Sequence, residues 1–147
     1  MSLTLSQEIY NQITEHLQAA YPNEGAGLLL GHANGGAAPI VAKMVSAILP
    51  FANKFESGEQ YHRYLITAQD MLDGEKEAEK LGLDIVGIFH SHPDHPARAS
   101  EYDREYALPW YSYLIVAVHQ AQAVDVHVWV LADDRSKFVE QELRIEK

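Results

Sequence analysis

Residues 84–103 read DIVGIFHSHPDHPARASEYD, and the fold of the chain turns on them. Asp84 to His92 is apolar and β-branched, which predicts a buried strand ending in the polar cluster His90-Ser91-His92. Side chains alternate along a strand, so His90 and His92 share a face. Two imidazoles at that spacing can grip one metal ion without bending the backbone. A loop containing Pro93 and Pro96 follows, and Ser100 to Leu108 predicts a short helix stopped by Pro109.

Working outward, Thr67 to Leu81 predicts a helix, with Thr67 and Asp70 as a capping pair and Gly82 as the stop. Ser6 to Tyr21 predicts another, capped by Ser6, with Ile9, Ile13 and Leu17 on one face and Pro22-Asn23 as the break. Gly25 to His32 is a short apolar strand, Asn34-Gly35-Gly36 a turn, and Ile40 to Leu49 the returning strand of a hairpin. Phe51 to Leu65 reads as loop with some strand. Beyond Pro109, Tyr113 to His119 and Val124 to Leu131 alternate as strands joined through Gln120–Ala123, and Lys137 to Ile145 is a final strand. The order α-β-β-α-β-α-β-β-β predicts one α/β domain over residues 1–147, with a curved mixed sheet flanked by helices.

At 147 residues and 47% hydrophobic content, the chain is long enough to bury a core without a disulfide or structural metal. It has no cysteine, which excludes thiolate zinc sites and a cysteine nucleophile and suits a reducing compartment. The N-terminus lacks a signal-peptide pattern and no apolar run is long enough for a bilayer, so a cytoplasmic protein without membrane association is expected. Eleven basic residues against 21 acidic ones give a net charge of -10, which repels nucleic acid and suits a neutral or basic protein partner.

Catalytic zinc takes three protein ligands and keeps one position open for water. With His90 and His92 as two, Asp103 in the first turn of the next helix is the nearest well-placed carboxylate, and His95, in its proline-flanked loop, is the alternative. A hydrolytic reaction also needs a general base close to the metal but not bound to it, for which Glu24 is the candidate. The Ser100 hydroxyl, one turn from Asp103, could stabilise a tetrahedral oxyanion. Each has a plainer reading. Ser100-x-x-Asp103 is also a helix-capping sequence, and an isolated glutamate such as Glu24 is ordinarily a solvated one. His62, His119 and His127 could line a pocket, though the last two suit the surface or strand ends. Tyr102, Tyr106, Trp110 and Tyr111 read as packing. Other hydrolytic and nucleotide motifs fail: there is no His-Glu-x-x-His, no Pro-Cys-x-x-Cys and no phosphate-binding glycine loop.

Glu24, then His90-Ser-His92-Pro, seven residues to Ser100, and Asp103 three further on resemble the JAMM (MPN-plus) metalloprotease motif. Pro22 to Leu29 is similar to that family's glutamate-bearing segment, and Val86-Gly-Ile-Phe89 to its zinc strand. The resemblance covers essentially the whole chain and implies the MPN fold, cytidine-deaminase-like in architecture. It also implies one zinc ion held by His90, His92 and Asp103, with Glu24 as acid/base and Ser100 as oxyanion stabiliser. It further implies cleavage of an amide bond at the C-terminal tail of a ubiquitin-like partner, often ending Gly-Gly, with the tail extended beside a sheet edge. The short chain resembles prokaryotic members that act on sulfur-carrier proteins. Two other expectations are open: a metal-free interaction module on the same fold, marked by loss of ligands, and a zinc amidase acting on a small conjugate.

Overall fold

A computed structural model describes residues 2–34, 42–52 and 66–147. The chain runs β1 (Ser2–Ser6), α1 (Gln7–Ala20), β2 (Ala26–Asn34), β3 (Ala42–Phe51), α2 (Ala68–Leu81), β4 (Asp84–Pro93), α3 (Glu101–Tyr106), β5 (Ser112–His119), β6 (Gln122–Leu131) and β7 (Phe138–Glu146). The turn at Gly35-Gly36 and nearly all of the loop expected from Phe51 to Leu65, His62 included, fall outside the described residues.

The sheet is mixed, as expected, but it is closed. Its strands follow the order β1-β3-β2-β4-β5-β6-β7, and β7 returns to β1 to complete a barrel. The closure comes from β1, a strand the sequence reading did not include. It pairs in parallel with β7 over five residues and with β3 over three. Leu3 and Leu5 carry it, being 0% and 1% exposed. Five residues directly before a helix cap are too short to announce a strand by pattern; long-range pairing makes this one.

The helices form where their caps dictate. Ser6 accepts the Ile9 N–H at 3.1 Å, and Ile13 and Leu17 of α1 are wholly buried against the inner face of the sheet. Thr67 and Asp70 close a reciprocal capping box at α2, which ends on Gly82 in the left-handed region at φ 71°. α2 covers the outer face, where Ala78 meets Leu28, Leu30, Ile85 and Ile88.

β4 lies between β2 and β5, antiparallel to the first and parallel to the second. A register shift opposite Leu29/Leu30 leaves Val86 as the extra residue. Val86 and Phe89 therefore face the inner core while Ile85 and Ile88 face α2. Gly87 sits where the parallel strand comes closest: a Cβ there would lie 2.2 Å from the Ser112 carbonyl oxygen. Backbone cannot yield as a side-chain tip does. Gly87→Ala is expected to destabilise the protein by about 1–3 kcal/mol, read as a lowered urea midpoint.

Among the described residues, one lysine is buried in this scaffold. Lys43 of β3 is 2% exposed; its Nζ donates to the Val86 and Trp110 carbonyls and to Ser112 Oγ at 3.0 Å, and lies 4.4 Å from the centre of the Trp110 ring. Ser112 in turn donates to Gln141 Oε1 on β7. Burial lowers the Lys43 pKa from 10.5 to about 8. Between these values the folded chain binds fewer protons at this site than the unfolded chain, so Lys43 makes stability rise with pH from about 8. Urea unfolding at pH 7.5, 8.5 and 9.5 is expected to show that rise, and Lys43→Met to flatten it.

Candidate metal centre

The C-terminal end of β4 presents its two imidazoles on the outer face. His90 is in register with Ala26 on one side and Ile115 on the other, and His92 with Ala117. Ile115 and Ala117 belong to the outer cluster closed by Ala97 of the following loop. The pair is withdrawn from water, at 0% and 8% exposure. His92 Nδ1 lies 2.9 Å from the Pro96 carbonyl, which accepts its proton and leaves Nε2 turned inward as a donor of electrons.

The short helix α3 brings in Asp103. Ser100 caps it: Ser100 Oγ accepts the Asp103 N–H at 3.0 Å, and Asp103 Oδ2 accepts the Ser100 N–H at 2.8 Å. The plain capping reading of these two residues therefore holds, and it aims the carboxylate. Asp103 Oδ2 lies 3.1 Å from His92 Nε2 and Oδ1 lies 3.5 Å from His90 Nε2. The Ser100 hydroxyl stays exposed at the rim.

Glu24 comes from the turn between α1 and β2, and it is not a solvated glutamate: it is 4% exposed. Its Oε1 lies 3.7 Å from His90 Nδ1. The neighbouring Gly25 is locked to β4 twice, its N–H donating to Ser91 Oγ at 2.9 Å and its carbonyl accepting the Ser91 N–H at 3.1 Å. Ser91, wholly buried between the two histidines, thus fixes where the glutamate stands. Glu24, His90 and His92 offer ligand atoms all within 4.8 Å of one another, the one such group among the described residues. Asp103 addresses each imidazole through a different oxygen and stands beside that trio.

Electrostatics follow from the burial. Desolvation lowers His90 to a pKa of about 4, with the neighbouring His92 adding to it against the pull of Asp103. Burial also works against charge on His92, but the hydrogen bond and charge of Asp103 outweigh it and raise His92 above the ordinary value. Burial would raise Asp103; the two imidazoles and the Ser100 N–H overcome it and hold the carboxyl well below the usual range. A neutral imidazole beside an ionised carboxylate is the donor set that zinc takes.

A cavity of about 360 Å³ opens onto the centre, lined by Glu24, His92, His95, Arg98 and Ser100 among others. Asp103 does not line it. His95 is exposed at this mouth and outside the ligand group, so it does not replace Asp103 beside the imidazoles. His119 ends β5 exposed, and His127 sits on the surface of β6 between Asp125 and Glu140. The aromatic cluster packs in pairs, Tyr102 with Tyr106 at 4.7 Å and Trp110 with Tyr111 at 5.6 Å between ring centres, although Tyr106 and Trp110 remain 66% and 41% exposed.

Two supports had no sequence signal. His16 of α1 reaches the carbonyls of Ala26 and Phe51 at 3.2 Å each, pinning the helix to the strands beside Glu24. Arg135, in the turn between β6 and β7, donates to three carbonyls at the end of α3: Ala107 at 2.7 Å, Glu105 at 3.0 Å and Arg104 at 3.3 Å. Its own carbonyl accepts from Arg104. The flanking Asp133-Asp134 and Ser136 read simply as a solvated turn.

A closed mixed barrel with two strand histidines and two buried carboxylates at one strand end is a JAB/MPN fold with a group of side chains that could hold a metal ion. Residues 6–132 match the profile of the prokaryotic homologues of the JAB domain, and the chain belongs to that family. A solution structure of a Desulfitobacterium hafniense protein is similar at a TM-score of 0.82 and 27% identity, covering 99% of this chain and 93% of that one. A Salinibacter ruber protein is 36% identical with a TM-score of 0.73, covering 98% and 92%. A JAB1/MPN domain protein from Archaeoglobus fulgidus, 19% identical over the whole of both chains with a TM-score of 0.61, shares the fold. No curated protein matches the sequence.

The hold of Arg135 on α3 has a measurable consequence. If the group holds a divalent metal, Arg135→Ala is expected to surrender it to a competing chelator about tenfold more readily, in the range typical of groups that orient a ligand. Arg144→Ala, which removes a guanidinium paired with exposed Glu142 on β7, is expected to leave metal binding unchanged.

Proposed function

We propose that the protein is a zinc-dependent peptidase or isopeptidase that cleaves an amide bond at the C-terminal tail of a ubiquitin-like sulfur-carrier protein in the cytoplasm. The observation that carries this reading is the convergence of His90, His92 and Asp103 beneath a cavity that Glu24 lines. His90, His92 and Asp103 would hold one zinc ion, and all three suit it: two nitrogen donors and one carboxylate leave the ion a net positive charge. Bound there, zinc would supply a Lewis acid and bring the pKa of water to about 7.

The two carboxylates divide the work by access. Asp103 is held by the Ser100 N–H and faces both imidazoles, with no surface on the cavity, as befits a ligand. Glu24 is buried yet lines the cavity, so it can take a proton from the attacking water and pass it to the leaving amine. Ser100 accepts its cap hydrogen bond through a lone pair, which leaves its own O–H free to donate to an oxyanion at the rim.

The substrate tail would reach the centre by a second cavity of about 300 Å³ beyond Glu24, where Ala19, Ala20, Gly25 and Ala52 share the lining with the larger His16 and Phe51. The four small residues leave room for glycines. Closure of the barrel takes away the continuous open sheet edge that the sequence reading assigned to the tail, so this cleft stands in its place.

Glu24→Gln is expected to keep about one zinc per chain and to lose activity on a ubiquitin-like protein fused to a C-terminal extension by about a hundredfold or more. Asp103→Asn is expected to lose the metal. Zinc analysis and cleavage rates check both. Loss of zinc from Glu24→Gln would exchange the roles of the two carboxylates.

A further inference from the structure

We propose that the cavity on the Ser100 side of the centre is an anion subsite, in which Arg98 and Lys137 hold carboxylates of the segment released from the substrate. The proposal rests on the hydrolase reading above and adds to it a substrate class: chains with acidic residues just after the scissile bond.

The distribution of charge points there. The chain carries -10 overall, and of its eleven Lys and Arg residues Lys54 and Arg63 lie outside the described ones. Three of the remaining nine, Arg98, Arg104 and Lys137, line one cavity of about 410 Å³, against a single carboxylate, Glu101. That carboxylate is already paired with Arg104. Arg98 makes no ion pair among the described residues. Lys137 has the Asp134 carboxylate within coulombic reach, but Asp134 does not line the cavity and its Oδ1 already accepts from the N–H and O–H of Ser136. Arg98 and Lys137 thus face a concave surface whose one lining carboxylate is taken by Arg104, in a protein whose remaining field repels anions.

The cavity is tied to the metal centre. Arg98 and Ser100 line both it and the mouth that holds Glu24 and His92, so a molecule gripped by Arg98 extends into the reacting position. Among the described residues, no lysine or arginine lines the opposite flank, beyond Glu24. If that flank receives the glycine tail, the segment beyond the scissile bond lies on the basic side. Trp129 forms one wall there and is fixed by a hydrogen bond from its indole N–H to the Ala97 carbonyl at 3.1 Å.

Trp129 also supplies the test. Trp110→Phe leaves it the only tryptophan, since the chain has two. In the zinc-loaded Glu24→Gln/Trp110→Phe protein, its fluorescence is titrated with two peptides: Gly-Gly followed by Asp-Glu, and Gly-Gly followed by Asn-Gln. The acidic peptide is expected to bind about tenfold more tightly. Its advantage should shrink with salt and vanish in Arg98→Gln/Lys137→Gln, but survive Lys76→Gln on α2. In parallel, kcat/KM is measured on ubiquitin-like fusions bearing the same two extensions. Equal affinity for both peptides, or a preference that survives Arg98→Gln/Lys137→Gln, overturns the subsite. If the peptides are discriminated and no fusion is cleaved, the subsite stands and the hydrolase reading falls. If the fusions are cleaved at equal rates and the peptides bind alike, the reverse holds.

Discussion

The structure depends on a pair of carboxylates kept out of water beside two imidazoles. Glu24 and Asp103 are 4% and 6% exposed, and an ionised carboxylate in that setting is costly unless charge and hydrogen bonds compensate it. For Asp103 the compensation is visible: His92 Nε2 at 3.1 Å, His90 Nε2 at 3.5 Å and the Ser100 N–H at 2.8 Å. The same closeness of Asp103 raises His92 above its ordinary value against the opposing effect of burial. Burial keeps the His90 imidazole neutral, the form in which a histidine binds a metal.

Keeping those groups together is the work of β4 and what touches it. The strand is hydrogen-bonded on both sides, and Gly87 allows the close approach of β5. Ser91 alternates between the two histidines and so faces away from them, where its side chain and main chain both grip Gly25. The same alternation that puts His90 and His92 on one face thus anchors Glu24 from the other. α3 is too short to hold itself in place, having only six residues. Its capping box secures one end and the guanidinium of Arg135 the other.

How much of this was legible depended on the range of the interaction. Caps are local: Ser6, Thr67 with Asp70, Gly82 and Ser100 with Asp103 all act where their sequence signatures stand. Alternation is local too, and it was enough to put His90 and His92 on one face. Whatever needed a distant partner was not legible. Leu3 and Leu5 become a strand only because β7 and β3 arrive beside them, and with them the sheet closes. Nothing beside Lys43 in the sequence marks it for burial; the carbonyls of Val86 and Trp110 and the hydroxyl of Ser112 that receive it come from three later points in the chain. Glu24 was drawn from its ordinary solvated reading by its place in a motif, and the geometry gives the physical reason: the Gly25–Ser91 bonds span 66 positions.

Charge connects the centre to its surroundings. A protein at -10 should discourage an acidic chain from approaching at all, and beyond a Debye length that holds. Inside the cleft, distance favours the local groups. Arg98 lines the mouth beside Glu24 and His92, while Glu75, Glu77 and Glu79 stand away from it on α2. A short acidic segment delivered by a glycine tail would meet cations only after the tail had entered. Such an arrangement separates capture from approach: the global field selects against acidic proteins as such, and the cleft selects for acidity at one place on a chain already threaded.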